Sequence, residues 1–240
     1  LYSFIFAIKI EQQEMNILIF GEESRRHNFM KHIPEDHHIV GFNDTLHCDI
    51  SEIKIDYYEI LMDLNFGDHS SHIDFYQTLK PKLLLLSATK IRLCEVFASH
   101  PVPFAVAGIN THPLFIQNIK EVKLLDSNHK DLFEYYAKQL RWDFRIVDDR
   151  VGMVTSRVIC MIINEACYTL MEGTADIDDI DKAMKLGTHY PYGPFEWCDK
   201  IGIHNVYDML NDLYLDTKDE RYKICPLLKS KYLRKETFYS

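Results

Sequence analysis

The chain has 240 residues, 47% hydrophobic and 26% charged, the proportions of a globular protein long enough for one large core or two modest ones. Its formal net charge of −9 gives no electrostatic drive toward phosphate backbones or anionic lipid, which argues against nucleic acid and membrane surfaces as partners. The six cysteines, Cys48, Cys94, Cys160, Cys167, Cys198 and Cys225, lack the short spacing of a zinc knuckle or redox dithiol, so buried thiols in a reducing, cytoplasmic compartment are expected.

Leu1 to Ile10 are apolar but fall far short of the ~20 residues that span a bilayer, and they lack the basic start and cleavage site of a signal peptide. Residues 1–14 read as an extension, with a domain starting at Met15. Asn16 to Gly21 is a short apolar run ending in glycine, the pattern of a buried parallel strand turning into a loop. A helix is expected over Ser24 to His32. Further strands are expected at His38 to Phe42, Tyr57 to Leu64, Lys82 to Leu86, Phe104 to Asn110 and Val122 to Leu125, with helices at His72 to Leu79 and Asp131 to Leu140. This alternation predicts a parallel sheet with crossover connections.

From Gly152 the period changes. Val154, Val158, Ile162, Ala166 and Leu170 recur at helical spacing as one apolar stripe, which Gly173 ends. Asp178 has the character of an N-cap for a helix running to Gly187, and Pro191, Gly193 and Pro194 impose a tight turn before the next helix. The domain boundary is placed near Val147 to Asp149, giving domains 15–147 and 148–240. His37-His38 and His69 with His72 cluster locally, yet no carboxylate or cysteine completes a ligand set, so no metal site is expected.

The second half carries Asp149-Arg150-Val151-Gly152-Met153-Val154-Thr155-Ser156-Arg157, then Asn164-Glu165-Ala166, Glu172-Gly173 and Asp178 through Gly187. Tyr190-Pro191-Tyr192-Gly193-Pro194-Phe195-Glu196, Asp199-Lys200-Ile201-Gly202 and Arg221-Tyr222 follow. This order and spacing resembles the C-terminal helical domain of 3-hydroxyacyl-CoA dehydrogenases, the NAD-dependent enzymes of fatty-acid β-oxidation. The resemblance implies a shortened Rossmann-like α/β domain followed by an all-α domain of the 6-phosphogluconate dehydrogenase C-terminal type. It also implies NAD as cofactor and an acyl-CoA or related 3-hydroxy acid as substrate.

The N-terminal half departs from that pattern where the chemistry sits. Dinucleotide binding wants G-x-G-x-x-G after the first strand, so that the backbone can approach the pyrophosphate and the helix can pack close. Here Gly21 is present, but Glu23 and Arg26 hold the second and third glycine positions. Asp44 stands near the place of the acidic residue that holds the ribose hydroxyls, and equally reads as a turn aspartate. Only Thr45 to Asp56 separates the second strand from the next apolar segment, too little for the substrate-binding helical hairpin of the family.

By the same resemblance, Lys90 in Ser87-Ala88-Thr89-Lys90 takes the place of the serine that meets the substrate. Asn110, in Gly108-Ile109-Asn110-Thr111-His112, takes that of the catalytic histidine, and Asn110 is no general base near neutral pH. His112 is a candidate relocated base, although two residues along a strand displace it by ~6.5 Å. Glu121 matches the acidic partner of that base, and Ser156, before Arg157, replaces the family's asparagine. Arg157, Glu165 and Asp181 are assigned structural roles as caps or ion pairs. Two functions follow from the resemblance: impaired NAD-linked oxidation of a 3-hydroxyacyl thioester, or a catalytically silent binding or assembly protein. Val158, Ile159, Met161, Ile162 and Ile163 lie on more than one side of their helix, which with the resemblance predicts a homodimer through the helical domain.

Overall fold

The computed structural model describes residues 13–43, 53, 56–67, 73–112, 114–115 and 119–239. Its first half is a seven-stranded sheet of β1 (Asn16–Phe20), β2 (His38–Phe42), β3 (Ile60–Asp63), β4 (Leu83–Ser87), β5 (Ala105–Ile109), β6 (Ile119–Leu124) and β7 (Asp143–Ile146), in the order β2-β1-β3-β4-β5-β6-β7. Helices α1 (Glu23–Met30), α2 (Ile73–Leu79), α3 (Leu93–Phe97) and α4 (Lys130–Gln139) make the crossovers. The chain leaves β1 toward β2 and returns on the other side with β3, so the order reverses at β1. In open α/β sheets, ligands sit at such a reversal, beyond the carboxyl ends of the strands.

The apolar runs explain the layering. Leu83–Ser87 is buried throughout, as a strand covered on both faces must be. Alternate residues serve opposite faces. Ile17, Ile19, Ile60, Met62, Leu83 and Leu85 pack with Phe29 of α1 and Phe133, Tyr136 and Ala137 of α4. Leu18, Phe20, Leu61, Leu84 and Leu86 pack with Ile73 and Tyr76 of α2 and Leu93 and Phe97 of α3.

Two expectations about the sheet are corrected. β6 runs antiparallel to β5, with Ile109 opposite Val122, because residues 110–118 are fewer than the dozen or so that a parallel crossover needs. β7 was not anticipated: Asp143–Ile146 is partly or fully exposed along its length and lacks the apolar run that marks the other strands.

The second half is helical: α5 (Thr155–Met171), α6 (Ile177–Thr188), α7 (Pro194–Ile201), α8 (Ile203–Thr217) and α9 (Pro226–Arg234) surround a separate core that includes Ile159, Ile163, Cys167, Phe195, Cys198, Leu210 and Leu228. Fold class is therefore as the sequence implies, a Rossmann-like α/β region followed by an all-helical one. On α5 the expected stripe is buried only in part: Ala166 is in the core and Ile162 and Leu170 pack partly buried against it, while Val154 and Val158 are about half exposed and the rest of the core side is Ile159, Cys160, Ile163, Asn164 and Cys167. The helix is apolar on more than one side, so spacing alone does not choose the inner face. Gly173 does end it, at φ +74°.

The N-cap of α6 is Asp176, not Asp178; its side chain accepts from the Asp179 N–H at 2.9 Å. Three aspartates surround Ile177, and any of them satisfies the capping pattern on paper. Several motif residues prove to be internal braces. Asp181, 2% exposed, accepts from the N–H groups of Phe195 and Glu196 at 2.8 and 3.0 Å and from the Tyr239 hydroxyl at 2.9 Å. Gly193 is required because a Cβ there would lie 2.2 Å from the Asp181 Cγ. Asn164 donates to Lys223 O and accepts from Cys225 N, both at 2.9 Å. Arg157 donates to Val151 O at 2.6 Å and to the Tyr222 hydroxyl at 2.7 Å. Glu165 is exposed.

The two halves meet at Asp149. Its carboxylate accepts from the N–H groups of Leu93 and Cys94 at 2.9 and 2.7 Å and lies 3.5 Å from Lys123 Nζ. Burial pushes the Asp149 carboxyl up, but those two N–H donors and the Lys123 charge outweigh it and hold the group below the ordinary carboxylate value. Fully buried Lys123 donates onward to Ile91 O at 2.7 Å and Arg150 O at 3.1 Å, and Gly152 N donates to Thr89 O at 2.6 Å.

Candidate functional site

The cleft at the sheet reversal is bounded by the loop after β1, the ends of β4 and β5, and α8. Gly21 sits at φ +156°, where a Cβ would stand 3.0 Å from Leu64 Cβ, so the first glycine of the loop is held by packing against the end of β3. Glu23 opens α1 and is exposed. Arg26 folds back across the loop: its Nε donates to Gly21 O at 2.8 Å and its Nη2 to Asn43 Oδ1 at 2.9 Å. The same guanidinium lies over Gly41 of β2, 2.3 Å from where a Cβ would be.

A dinucleotide's pyrophosphate needs close backbone approach at the second glycine position, and tight helix packing at the third. Here one position carries a carboxylate side chain, and the other sends an arginine across the end of β2. These residues do not fit NAD in the manner of a Rossmann loop. Asp44, the candidate ribose-binding acid, lies outside the described residues, as do His69, His72 and most of the 45–56 segment.

Lys90 is partly buried and faces Asp208 of α8 at 3.8 Å, a weak and solvent-screened pair. Asn110, 4% exposed, donates from Nδ2 to the Oγ of Ser156 at 3.0 Å, and Ser156 is 3% exposed. The structure thus brings together two of the positions singled out in the sequence. Continuing the β5–β6 register one step past Ile109 and Val122 puts Glu121 opposite Asn110, not His112. Glu121 is otherwise engaged: it accepts from Thr155 N at 2.9 Å, from Thr155 Oγ1 at 2.5 Å and from Val154 N at 3.3 Å. It caps the amino end of α5, whose own N-cap residue, Val154, has no side chain able to do so.

His112 is hydrogen-bonded through its ring. Nδ1 accepts from Leu114 N at 3.3 Å, and the ring also feels the Ile201 backbone. Its ring stacks at 5.1 Å on Phe115. Burial pushes its pKa below the ordinary histidine value; the Ile201 bond works the other way, and the charges of Arg25, His204 and Lys90 add to the depression. The ring is therefore neutral at neutral pH, and its lone-pair nitrogen is already an acceptor. The proposed pairing of His112 with Glu121 is not assembled: each is bonded to a different part of the fold.

What the cleft does hold is a cavity of about 230 Å³ lined by Arg25, Lys90, His112, Ser24, Asn28, Gly67, Ser87, Thr89, Thr111 and Asn205. Ser87 Oγ and Thr111 Oγ1 are 2.7 Å apart, and Arg25 donates to Leu64 O at 3.1 Å. Thr111 and Asn205 were not anticipated. Thr111 sits between two residues that drew attention as base candidates, and Asn205 lies on α8, which the residue pattern did not connect to the cleft. Among the described residues no group of three or more His, Cys, Asp or Glu side chains is placed to hold a metal ion, and no helix is long and apolar enough to cross a membrane.

Residues 152–237 match the family described as 3-hydroxyacyl-CoA dehydrogenase, C-terminal domain. The chain is 33% identical over 156 residues to the 3-hydroxybutyryl-CoA dehydrogenase of Bradyrhizobium diazoefficiens, a match covering 62% of this chain and 53% of that protein. It is 38% identical over 106 residues to the 3-hydroxyadipyl-CoA dehydrogenase of Escherichia coli, covering 44% of this chain and 22% of that one. The matched region thus spans about half the length of the first relative and less of the second. The crystal structure of (S)-3-hydroxybutyryl-CoA dehydrogenase from Ralstonia eutropha has the same fold, with a TM-score of 0.74 at 16% identity over 93% of this chain and 95% of that one. The resemblance to the 3-hydroxyacyl-CoA dehydrogenase family thus lies in the C-terminal helical region, where residues 152–237 match that family's C-terminal domain.

Proposed function

We propose that this is a 3-hydroxyacyl-CoA dehydrogenase-like protein in which the family reaction, NAD-dependent oxidation of a 3-hydroxyacyl-CoA to the 3-ketoacyl-CoA, is impaired at proton transfer. The observation that supports this reading is the pair Asn110 and Ser156, buried and bonded to each other at 3.0 Å, at the positions that the resemblance assigns to the base and its asparagine neighbour. His112, the nearest substitute, has its acceptor nitrogen occupied by Leu114 N. The loop residues Glu23 and Arg26 point the same way, since they withdraw the cradle for the cofactor. The names of the relatives support hydroxyacyl-CoA thioesters as the substrate class from which this chain derives.

A second reading, a binding or assembly protein without turnover, is favoured by the exposed apolar side of α5, where Val154 and Val158 are about half exposed. Under either reading we take 15–147 and 148–240 as separate domains, the protein as cytoplasmic, and the partner on α5 as a second copy of the chain. Half-exposed apolar side chains side by side mark a surface that a partner can cover. Light scattering at micromolar concentration tests the dimer: a mass of twice 28.3 kDa is expected, and a mass near 28.3 kDa rejects it.

Turnover tests the impaired-oxidation reading. With acetoacetyl-CoA and NADH, the rate is expected to fall short of a typical ~10 s⁻¹ by the ~10²–10⁴-fold that a positioned general base contributes. A rate near ~10 s⁻¹ overturns the reading.

A further inference from the structure

We infer that the two halves open against each other as hinged bodies along a polar seam, and that the buried pair Asp149 and Lys123 holds the seam shut. This opening presupposes that 15–147 and 148–240 are separate domains; it concerns motion and not turnover, so it stands apart from impaired oxidation. Three observations carry it. Each half has its own apolar core, and among the described residues the most extensive packing between elements stays within a half. The seam itself is built from polar bonds: Asp149 accepts from Leu93 N and Cys94 N, Glu121 from Thr155 N, and Thr89 O from Gly152 N. Charge is buried along it, since Lys123 is fully buried between Asp149, Ile91 O and Arg150 O, and the Asp216 side chain, 3.9 Å from Arg92, is 4% exposed.

Parting such a seam costs less than parting an apolar interface, because the buried ions regain their hydration as they separate. Leu114 and Phe115, from the loop after β5, pack into the helical core and oppose opening, so the closed form is the resting state. The connector supplies the hinge. Val147 N donates to Val122 O at 2.8 Å and so ties its start to the sheet, and Gly152 and Met153 follow at φ +81° and +47°, two successive left-handed residues. A few loop residues of this kind absorb the backbone rotation when domains swing. Taking the charge off Asp149 would leave the Lys123 ammonium buried without that counter-charge, which favours the open form, where water reaches it.

Residue-resolved amide hydrogen exchange of the full chain is the test. In the unaltered protein the N–H groups of Leu93, Cys94, Gly152 and Thr155, whose acceptors lie across the seam, are expected to exchange about tenfold or more faster than those of β1, β4 and the middle of α5. Asp149→Asn is expected to speed all four by a common factor of about ten or more and to leave both cores at their native rates. Gly152 and Thr155 are the decisive pair, because neither donates to Asp149. Adding Lys123→Met is expected to bring all four back toward native rates, since no uncompensated ammonium is then left in the seam. Unchanged seam rates in a folded Asp149→Asn variant, acceleration confined to Leu93 and Cys94, or no recovery on adding Lys123→Met overturns the hinge. Equal acceleration of the seam and both cores overturns the separate-domain reading and the hinge together. If Asp149→Asn does not give the native circular dichroism spectrum, the unaltered protein decides: seam amides that exchange at the rate of both cores overturn the inference.

Discussion

The helical region and the strand-end cleft put their polar side chains to different uses. In the helical region, the polar residues that carry the resemblance are spent on the fold itself: Asp181 caps α7, Asn164 clasps the chain before α9, and Arg157 bridges Val151 and Tyr222. In the cleft, the seven-stranded sheet is in place, and the proposed impairment rests on Glu23, Arg26, Lys90 and Asn110 at the positions that the resemblance assigns to the glycine loop, the substrate serine and the base. Residues that brace a fold and residues that perform a reaction are different sets. One set can be kept while the other changes, because the sheet's strands owe their stability to Leu, Ile and Met side chains that touch no ligand.

The sharpest way to break this contrast is in the helical region. Asp181→Ala leaves two N–H groups at the start of α7 and the Tyr239 hydroxyl without their acceptor, and should cost on the order of 3 kcal/mol in urea unfolding. A loss well below ~1 kcal/mol would show that Asp181 is not the brace its bonds suggest. A smaller effect separates bracing from chemistry on the cleft side. Glu121→Ala removes the cap of α5 and should cost about 1 kcal/mol. Whatever residual turnover the chain has should change no more than its folded fraction does. If turnover disappears in a variant of unchanged stability, Glu121 is a catalytic partner and the two regions are less distinct than drawn.

Much of this was legible in the sequence. The apolar runs located β1 through β5, and the dense motif of the second half located the first helices there. The antiparallel β6 was not legible, because strand direction is written in connection length and not in the strand. The inner face of α5 was obscured by apolar residues on several sides, so that Val154 and Val158 looked like core and Ile159 and Ile163 like surplus. In the site, Asn110 and Ser156 were singled out by the resemblance alone. Their mutual hydrogen bond, the use of Glu121 as a cap, and the bond from Leu114 N to the His112 ring were not, because each depends on a partner tens of residues away or on loop geometry.

The central claim is that the cleft has lost its cofactor cradle along with its base, and titration of the full chain with NADH, followed by nucleotide fluorescence, tests it most directly. No saturation up to about 1 mM NADH, corresponding to binding weaker than about −4 kcal/mol, is the predicted result. Saturation at micromolar NADH would show that Glu23 and Arg26 accommodate the dinucleotide after all, and would contradict the account.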